Sequence, residues 1–281
     1  MLDIKFHGDE VGLFSKGFPA RAFPYYNYSI PLHTHDFYEI NIILSGTGIH
    51  CMDHGKVRAA AGDVFIIPPL VAHAYEDTEN LTVYHILLKK AFLSENKEES
   101  MGVDGYVQLV EIEPLLRSSF SQACFLHLNH RQLNLLKEEL EFIDDNGAFS
   151  WEECHAMKYH TIWKILYWFS HLLNKQLDTM TGNAENTYAV QIIQALEYIH
   201  THYNEKITIE KLCGDVFLSR STFLRSFKAV CGMPPMEYVN AYRCKMALGL
   251  LDKNEHSKTE IAYCCGFYDL SHMERMLKKY A

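Results

Sequence analysis

Four side chains in the first part of the chain are of the types that ligate ions or grip polar molecules. In HTHDFYEINIILSG, His33, His35 and Glu39 fall at odd positions of an expected strand, together with Phe37 and Asn41. Alternate residues of a strand share a face, so two imidazoles and a carboxylate should project to one side. A second segment, GDVFIIPPLVAH, supplies His73. Imidazole and carboxylate donors suit a divalent iron, manganese, nickel or zinc ion. They also suit hydrogen bonds to a polar small molecule, or to one another as fillers of a core. The residues alone leave all three readings open.

A second group is cationic and duplicated. LCGDVFLSRSTFLRSFK, Leu212 to Lys228, aligns with AYCCGFYDLSHMERMLK, Ala262 to Lys278, at a fixed offset of 50. Phe217 then meets Phe267, Ser221 meets Ser271, Arg225 meets Arg275 and Lys228 meets Lys278. Each copy reads as a short apolar helix (Ile209 to Asp215; Thr259 to Cys265), a tight turn, and a second helix capped by Ser219 or Asp269. Phe223 and Phe227, or Met273 and Leu277, lie four apart and face inward, which turns Arg225 and Arg275 outward. An outward display of Ser, Arg and Lys suits a DNA major groove, where Arg pairs bidentately with guanine and Lys neutralises phosphate. Pro235 can start an intervening helix striped by Val239, Tyr242, Met246 and Leu250. As a rigid spacer it could hold the units about one turn of DNA apart, roughly 34 Å. A protein-binding helical repeat with solvated arginines is the alternative.

The elements that must position these groups follow from the rest of the chain. At 281 residues, and about 150 residues per domain, two domains are expected. With 48% hydrophobic and 22% charged residues, disorder and collagen-like structure are excluded. The longest apolar run, Ile162 to Leu173, is broken by Lys164, Ser170 and His171, whereas a membrane span needs about 20 clean residues. MLDIKFHGDE lacks the pattern of a signal peptide, so a cytoplasmic location and no membrane partner are expected. The eight cysteines then read as thiols, with no C-x-x-C pair. The net charge of -9 is uneven: residues 187–281 carry 12 Lys plus Arg against 10 Asp plus Glu, which leaves -11 on the first 186. Any polyanion belongs on the C-terminal part.

From about residue 20 to 128, segments such as EINIILSGTG and LTVYHILL read as short strands punctuated by Gly and Pro, the pattern of a barrel or sandwich. Leu133, Leu136, Leu140 and Ile143 then mark one helix, and a second runs from about 153 to 175. The apolar residues of these helices, Leu133, Leu136, Leu140, Ile162 and Leu166, suit either a dimer contact or packing within the domain. Tyr25, Tyr26 and Tyr28 read chiefly as core, with sugar stacking as the lesser alternative. TMTGNAEN, residues 179–186, reads as a linker.

The run LSRSTFLRSFKAVCGMPPMEYVNAYRCKMALGLL, with IAYCCGFYDLSHMERMLKK, resembles the DNA-binding domain of AraC-type transcriptional regulators. Gly232, Pro234, Tyr238, Arg243, Ala247, Leu250, Leu251, Ile261, Ala262, Gly266 and Phe267 carry the match. The resemblance implies two helix-turn-helix units joined by a long helix. Its base-facing positions become Arg220, Ser221, Thr222 and Arg225 in the first unit and Leu270, Ser271, His272 and Arg275 in the second, with Lys228 and Lys278 beside them. It further implies double-stranded DNA, a small-molecule effector such as a sugar, RNA polymerase and a second copy of the chain as partners. Two departures, a sequence ending at KKYA and Lys258 where the family prefers Ile, lead to an expectation of weaker groove contact by the second unit.

The spacing H-x-H, three residues, E, six residues, G, followed by Gly62, Pro68 and His73, resembles the paired motifs of cupin barrels. Leu70 stands where the enzyme form has Gly. Metal-dependent cupins bind a divalent ion through the residues matching His33, His35, Glu39 and His73. In AraC-type sensor barrels the motif implies a metal-free effector pocket, and that is the expectation for this chain, with no cofactor and no catalytic residue. The expected fold is therefore two-domain: an N-terminal all-β cupin-like barrel with an arm (1–128) and trailing dimerisation helices (129–178), a linker (179–187), and an all-α tandem helix-turn-helix domain (188–281). A cupin metalloenzyme, isomerase or dioxygenase, with an accessory helical domain is the rival; stoichiometric metal with turnover would favour it, and salt-dependent duplex binding the regulator.

Overall fold

A computed structural model describes the chain except for residues 1–3, 9–13, 15–17, 53–54, 96–99, 101, 115–125, 145–150, 181–187, 252–255 and 281. It divides into two compact units, Met1–Thr179 and Met180–Ala281.

The first unit is built on strands β1 (Ile4–Phe6), β2 (Ala20–Tyr25), β3 (Ile30–His35), β4 (Tyr38–Met52), β5 (Gly55–Ala60), β6 (Asp63–Ile67), β7 (His73–Leu88) and β8 (Leu126–His127). Val, Phe and Ile fill β6 after Asp63, and Ile40, Ile42 and Ile43 of β4 and Val83, Tyr84 and Ile86 of β7 supply the β-formers where the two strands pair at the Tyr38 end, as suits a pleated, covered surface. β4 and β7 pair antiparallel from Tyr38–Leu88 to Met52–His73, with register shifts between Ile43 and Ile49. At that bend Gly46 takes φ +77°, and a Cβ would lie 2.3 Å from the Asn80 carbonyl oxygen. Only glycine fits there. The shifts bend one ladder network into two halves: β2 and β6 join the Tyr38 end of the pair, β3 and β5 the Met52 end.

Tyr28, Ile43, Phe65, Tyr75 and Val83 form a buried cluster on this framework. Of the three candidate tyrosines, Tyr28 is therefore core, whereas Tyr25 and Tyr26 are exposed. The pairing order runs β1-β3-β7-β4-β6-β8, with β2 and β5 alongside. No ladder among the described strands joins its two ends, so the unit is sheet-rich but open where a closed barrel is expected. Part of the expected arm belongs to the sheet, because β1 pairs parallel with β3.

Helices complete this unit: α1 (Lys90–Glu95), a π-helical turn (Gln108–Ile112), α2 (His130–Glu141) and α3 (Trp151–Met180). A reciprocal Asn129–Gln132 capping box starts α2. Tyr84 of β7 donates a hydrogen bond to the Leu140 carbonyl at 3.1 Å, and Phe92 stacks on Trp163. Leu133, Leu136, Leu140, Ile162 and Leu166 are all buried within the chain. Of the two readings left open for this stripe, a dimer contact or packing within the domain, its burial supports packing within the unit's own core. α3 also outruns its expected end at 175, making residues 179 and 180 of the expected linker helical. The remaining linker residues, 181–187, lie outside the described residues.

The second unit holds α4 (Ala189–His202), α5 (Ile209–Asp215), α6 (Arg220–Cys231), α7 (Pro235–Leu251), α8 (Lys258–Cys264) and α9 (Leu270–Tyr280). Thr208, Ser219 and Ser257 cap α5, α6 and α8 through their hydroxyls, and Asp269 Oδ1 accepts the His272 N–H at 2.7 Å to cap α9. Lys258, at the first position of α8, is exposed. α7 is the central strut, burying Tyr238, Val239, Tyr242, Cys244 and Ala247. Its Arg243, 8% exposed, donates to the carbonyls of Tyr203 and Glu205, both at 2.7 Å, where α4 ends. A cation there satisfies carbonyls that the helix leaves open.

The two helix-turn-helix units are related less simply than a fixed offset of 50. Both first helices end in a Schellman arrangement: Phe217 N–H donates to the Gly214 carbonyl and Leu218 N–H to Cys213, while Gly266 N–H donates to Tyr263 and Phe267 N–H to Ala262. These pairs are 49 apart, whereas the caps Ser219 and Asp269 and the anchors Phe223 and Met273 are 50 apart. The second unit thus has one extra residue in its turn. Phe217 corresponds to Gly266, not to Phe267: Phe217 is 94% exposed with φ 55°, Phe267 is 3% exposed. No helix among the described residues is long and apolar enough to cross a membrane.

Candidate functional site

The cationic face is built on α6 and α9. Along α6 the apolar anchors Phe223 and Phe227 are fully buried, and Arg220, Ser221, Arg225 and Lys228 are exposed with Thr222 half-buried. Along α9 only Met273 is buried; Ser271, Arg275 and Lys278 are exposed, and Leu270, His272 and Leu277 are half-buried. Arg220 is engaged by Glu210 of α5 in an ion pair, which it must give up to reach any other anion. The His272 ring stands edge-on to Phe267 at 5.4 Å, and its Nδ1 accepts the Tyr268 N–H at 3.4 Å. Burial, then the neighbouring Arg275 and Arg243, lowers its pKa and favours the neutral ring. Hydrogen-bond competitors for the candidate residues therefore lie within their own units.

The other group of candidates converges on Glu39. Its Oε2 lies 3.0 Å from His35 Nε2 and 3.2 Å from His73 Nε2, and its Oε1 lies 2.6 Å from His85 Nδ1. The rings of His33 and His73 are 4.2 Å apart. Glu39 comes from the Tyr38 half of the sheet and His33, His35 and His73 from the Met52 half, so the cluster spans the interior between the halves. Every member is under 5% exposed. Burial by itself would raise the Glu39 carboxyl; the imidazoles of His35, His73 and His85 outweigh it and hold the group well below the ordinary glutamate range. For His33, burial and then the adjacent His73 bring the pKa down to about 4, so its ring is neutral near pH 7.

The surroundings fix the rings. His35 stacks on Phe37 at 4.4 Å, and Phe6 of β1 stands edge-on to His33 at 5.3 Å. The Leu70 N–H donates to the His35 carbonyl at 2.7 Å, tying the end of β3 to the loop that delivers His73. Leu70 does so with φ 67° while 61% exposed. That left-handed conformation favours glycine, and a branched side chain there is strained by about 1 kcal/mol or more. Asn41, on the same face as Glu39, donates to the Tyr75 hydroxyl at 3.4 Å.

His85 and His50 were not among the sequence candidates. His85 contacts Glu39 directly, and His50 stacks on Tyr75 at 4.7 Å and lies 5.9 Å from His73. The signal was present for His85: in LTVYHILL it stands alone among apolar residues, on the alternation that faces Val83 inward. Its partner, Glu39, lies 46 residues away on another strand, beyond the reach of local spacing.

Residues 17–142 match the family model of the AraC-like ligand binding domain, and residues 212–281 match that of a helix-turn-helix domain. Between them these matches cover more than half of the chain. The HTH-type transcriptional activator RhaS of Salmonella arizonae is 26% identical over 251 residues, covering 89% of this chain and 84% of the relative. RhaS of Citrobacter koseri is 26% identical over 253 residues with the same coverage. Among solved structures, ToxT from Vibrio cholerae O395 is 14% identical over 93% of this chain and 94% of its own, at a TM-score of 0.34, too slight a likeness to bear on the fold. With the ligand-binding and helix-turn-helix matches falling in chain order on the sheet-rich and the helical unit, the chain belongs to the AraC-type transcriptional regulators.

Proposed function

We propose that the chain is an effector-responsive transcriptional activator. Its second unit reads double-stranded DNA through Arg220, Ser221, Thr222, Arg225 and Lys228 of α6 and Ser271, His272, Arg275 and Lys278 of α9. Its first unit, a cupin-like sheet structure, receives a small-molecule effector at His33, His35, Glu39 and His73. The observation that carries the reading is the repeated unit itself: two Schellman-ended helices, each followed by a capped helix with an exposed Arg at the same position, 225 and 275. The relatives named as transcriptional activators support activation. Homodimerisation and contact with RNA polymerase belong to the same reading, as does the division into a sensor (1–128), a helical region (129–178), a linker (179–187) and a DNA-binding part (188–281). With the buried leucines of α2 and α3 unavailable, a dimer contact there falls to exposed residues such as Leu135, Phe142 and Met157.

An effector works by binding one arrangement of the protein better than another. Selection of bound sequences from a random duplex pool tests the DNA half of the reading. The expected result is an enriched motif whose affinity falls linearly, on logarithmic axes, with salt. A pool that returns unenriched, with the folded chain at micromolar concentration and low salt, would sink it.

A further inference from the structure

We propose that Tyr268 is a further DNA-contacting residue, its phenol hydroxyl donating to a backbone phosphate at the edge of the groove that α9 enters. The proposal rests on the DNA-binding reading above and adds a contact that the first helix-turn-helix unit does not contain.

Comparison of the two units isolates this residue. Their turns align as Phe217 with Gly266, Leu218 with Phe267 and the cap Ser219 with the cap Asp269. Tyr268 is left without a counterpart in the first turn. At the next position Arg220, which opens α6, is matched by Leu270, which opens α9. Arg220 is exposed and Leu270 half-buried, so the start of α9 lacks the polar side chain that α6 presents there. The inserted tyrosine supplies one two residues earlier.

The main chain of Tyr268 is held while its ring is free. Phe267 before it is 3% exposed, Asp269 after it caps α9 by accepting the His272 N–H at 2.7 Å, and its own N–H donates to His272 Nδ1 at 3.4 Å. Tyr268 itself is 84% exposed, and its hydroxyl makes no hydrogen bond among the described residues. Such a side chain contributes little to the fold.

Its place and its chemistry both suit a phosphate. In helix-turn-helix docking the N-terminal residues of the second helix meet base edges. A residue just ahead of the cap then stands beside the sugar-phosphate strand that walls the groove. A phenol donates and a phosphate oxygen accepts, and tyrosine is among the side chains that fix the register of a protein on a duplex in this way. With two side-chain torsions to freeze, the ring loses little entropy on docking. Because the phenol is neutral it displaces no counterion, so its contribution, unlike that of a lysine, is independent of salt.

The test uses the full chain and the duplex enriched from the random pool, with binding read by fluorescence anisotropy. Tyr268→Phe keeps the ring and removes the hydroxyl. It should bind about 3–10-fold more weakly, with the wild-type salt slope and the wild-type thermal midpoint. Lys278→Ala, by contrast, should lower the slope by about 1. Duplexes carrying one neutral methylphosphonate at a time locate the contact, across the half of the site where Arg275→Ala relaxes base preference. At one of these positions the replacement should weaken the wild type but not Tyr268→Phe. Wild-type affinity in Tyr268→Phe, or a weakened variant that keeps every methylphosphonate penalty of the wild type, overturns the proposal and leaves the regulator reading standing. A pool that yields no enriched duplex overturns both.

Discussion

At the scale of single residues, the recognition helix α6 separates its two kinds of cation cleanly. Arg225 and Lys228 are both exposed, yet they lie three apart and so serve different edges of one face. Arg225→Ala is expected to cost about 1–3 kcal/mol at the cognate site and to relax base preference, because a bidentate contact to guanine is lost. Lys228→Ala should weaken all sequences alike and lower the salt slope by about 1. Footprinting with both variants decides it: unchanged discrimination in Arg225→Ala removes that residue from the groove. A second residue-scale expectation concerns thiols. Burial pushes the Cys231 thiol up to about 12 and that of Cys244 up to about 11, so at pH 8 both remain protonated and poor nucleophiles. Iodoacetamide mapping should label them only on unfolding; labelling in the folded chain as fast as in urea would contradict the assignment.

At the scale of elements, the two turns form a natural comparison. Both need a left-handed residue after the first helix; one has Gly266 and the other Phe217. Phe217→Gly should therefore stabilise the unit by ~0.5–1 kcal/mol, the relief of left-handed strain less the extra chain entropy of glycine. Gly266→Ala should destabilise it by at least ~1–2 kcal/mol, since its Cβ would also meet the Tyr203 carbonyl oxygen at 2.7 Å. Urea midpoints moving in the same direction for both variants would refute this account of the turns. Arg243 makes the other element-scale case. Arg243→Ala strands two carbonyls at the end of α4 and should cost about 2–4 kcal/mol, in line with the loss of charged hydrogen bonds in a buried site. Its thermal midpoint should fall well below that of Lys245→Ala, an exposed neighbour.

At the scale of the whole molecule, each unit has its own core. In the second, Phe223, Phe227, Ala247, Ile261 and Met273 are buried. Residues 180–281 expressed alone should therefore unfold cooperatively and retain salt-dependent DNA binding, while residues 1–179 should bind no duplex. A non-cooperative melt of the shorter fragment would show that its core is incomplete. The charge split runs the same way, because the acidic excess lies in the part that this reading keeps off DNA.

Much of this was legible before any fold. Caps at Ser219 and Asp269, the strut beginning at Pro235, and the outward Arg225 and Arg275 rest on interactions within three or four residues, which a sequence states directly. The cluster was only partly local. The one strand expected to carry His33, His35 and Glu39 is two, β3 and β4. Although His35 and Glu39 are four apart, they meet because the two halves of the sheet face each other. The rest depended on distant neighbours. Whether Leu136 faces a partner or its own sheet, whether Phe217 or Phe267 is the buried aromatic, and whether His85 joins the cluster were settled by what each residue meets across the core. Spacing determines which side chains share a face; only packing decides what that face touches, because burial energy depends on neighbours tens of residues away.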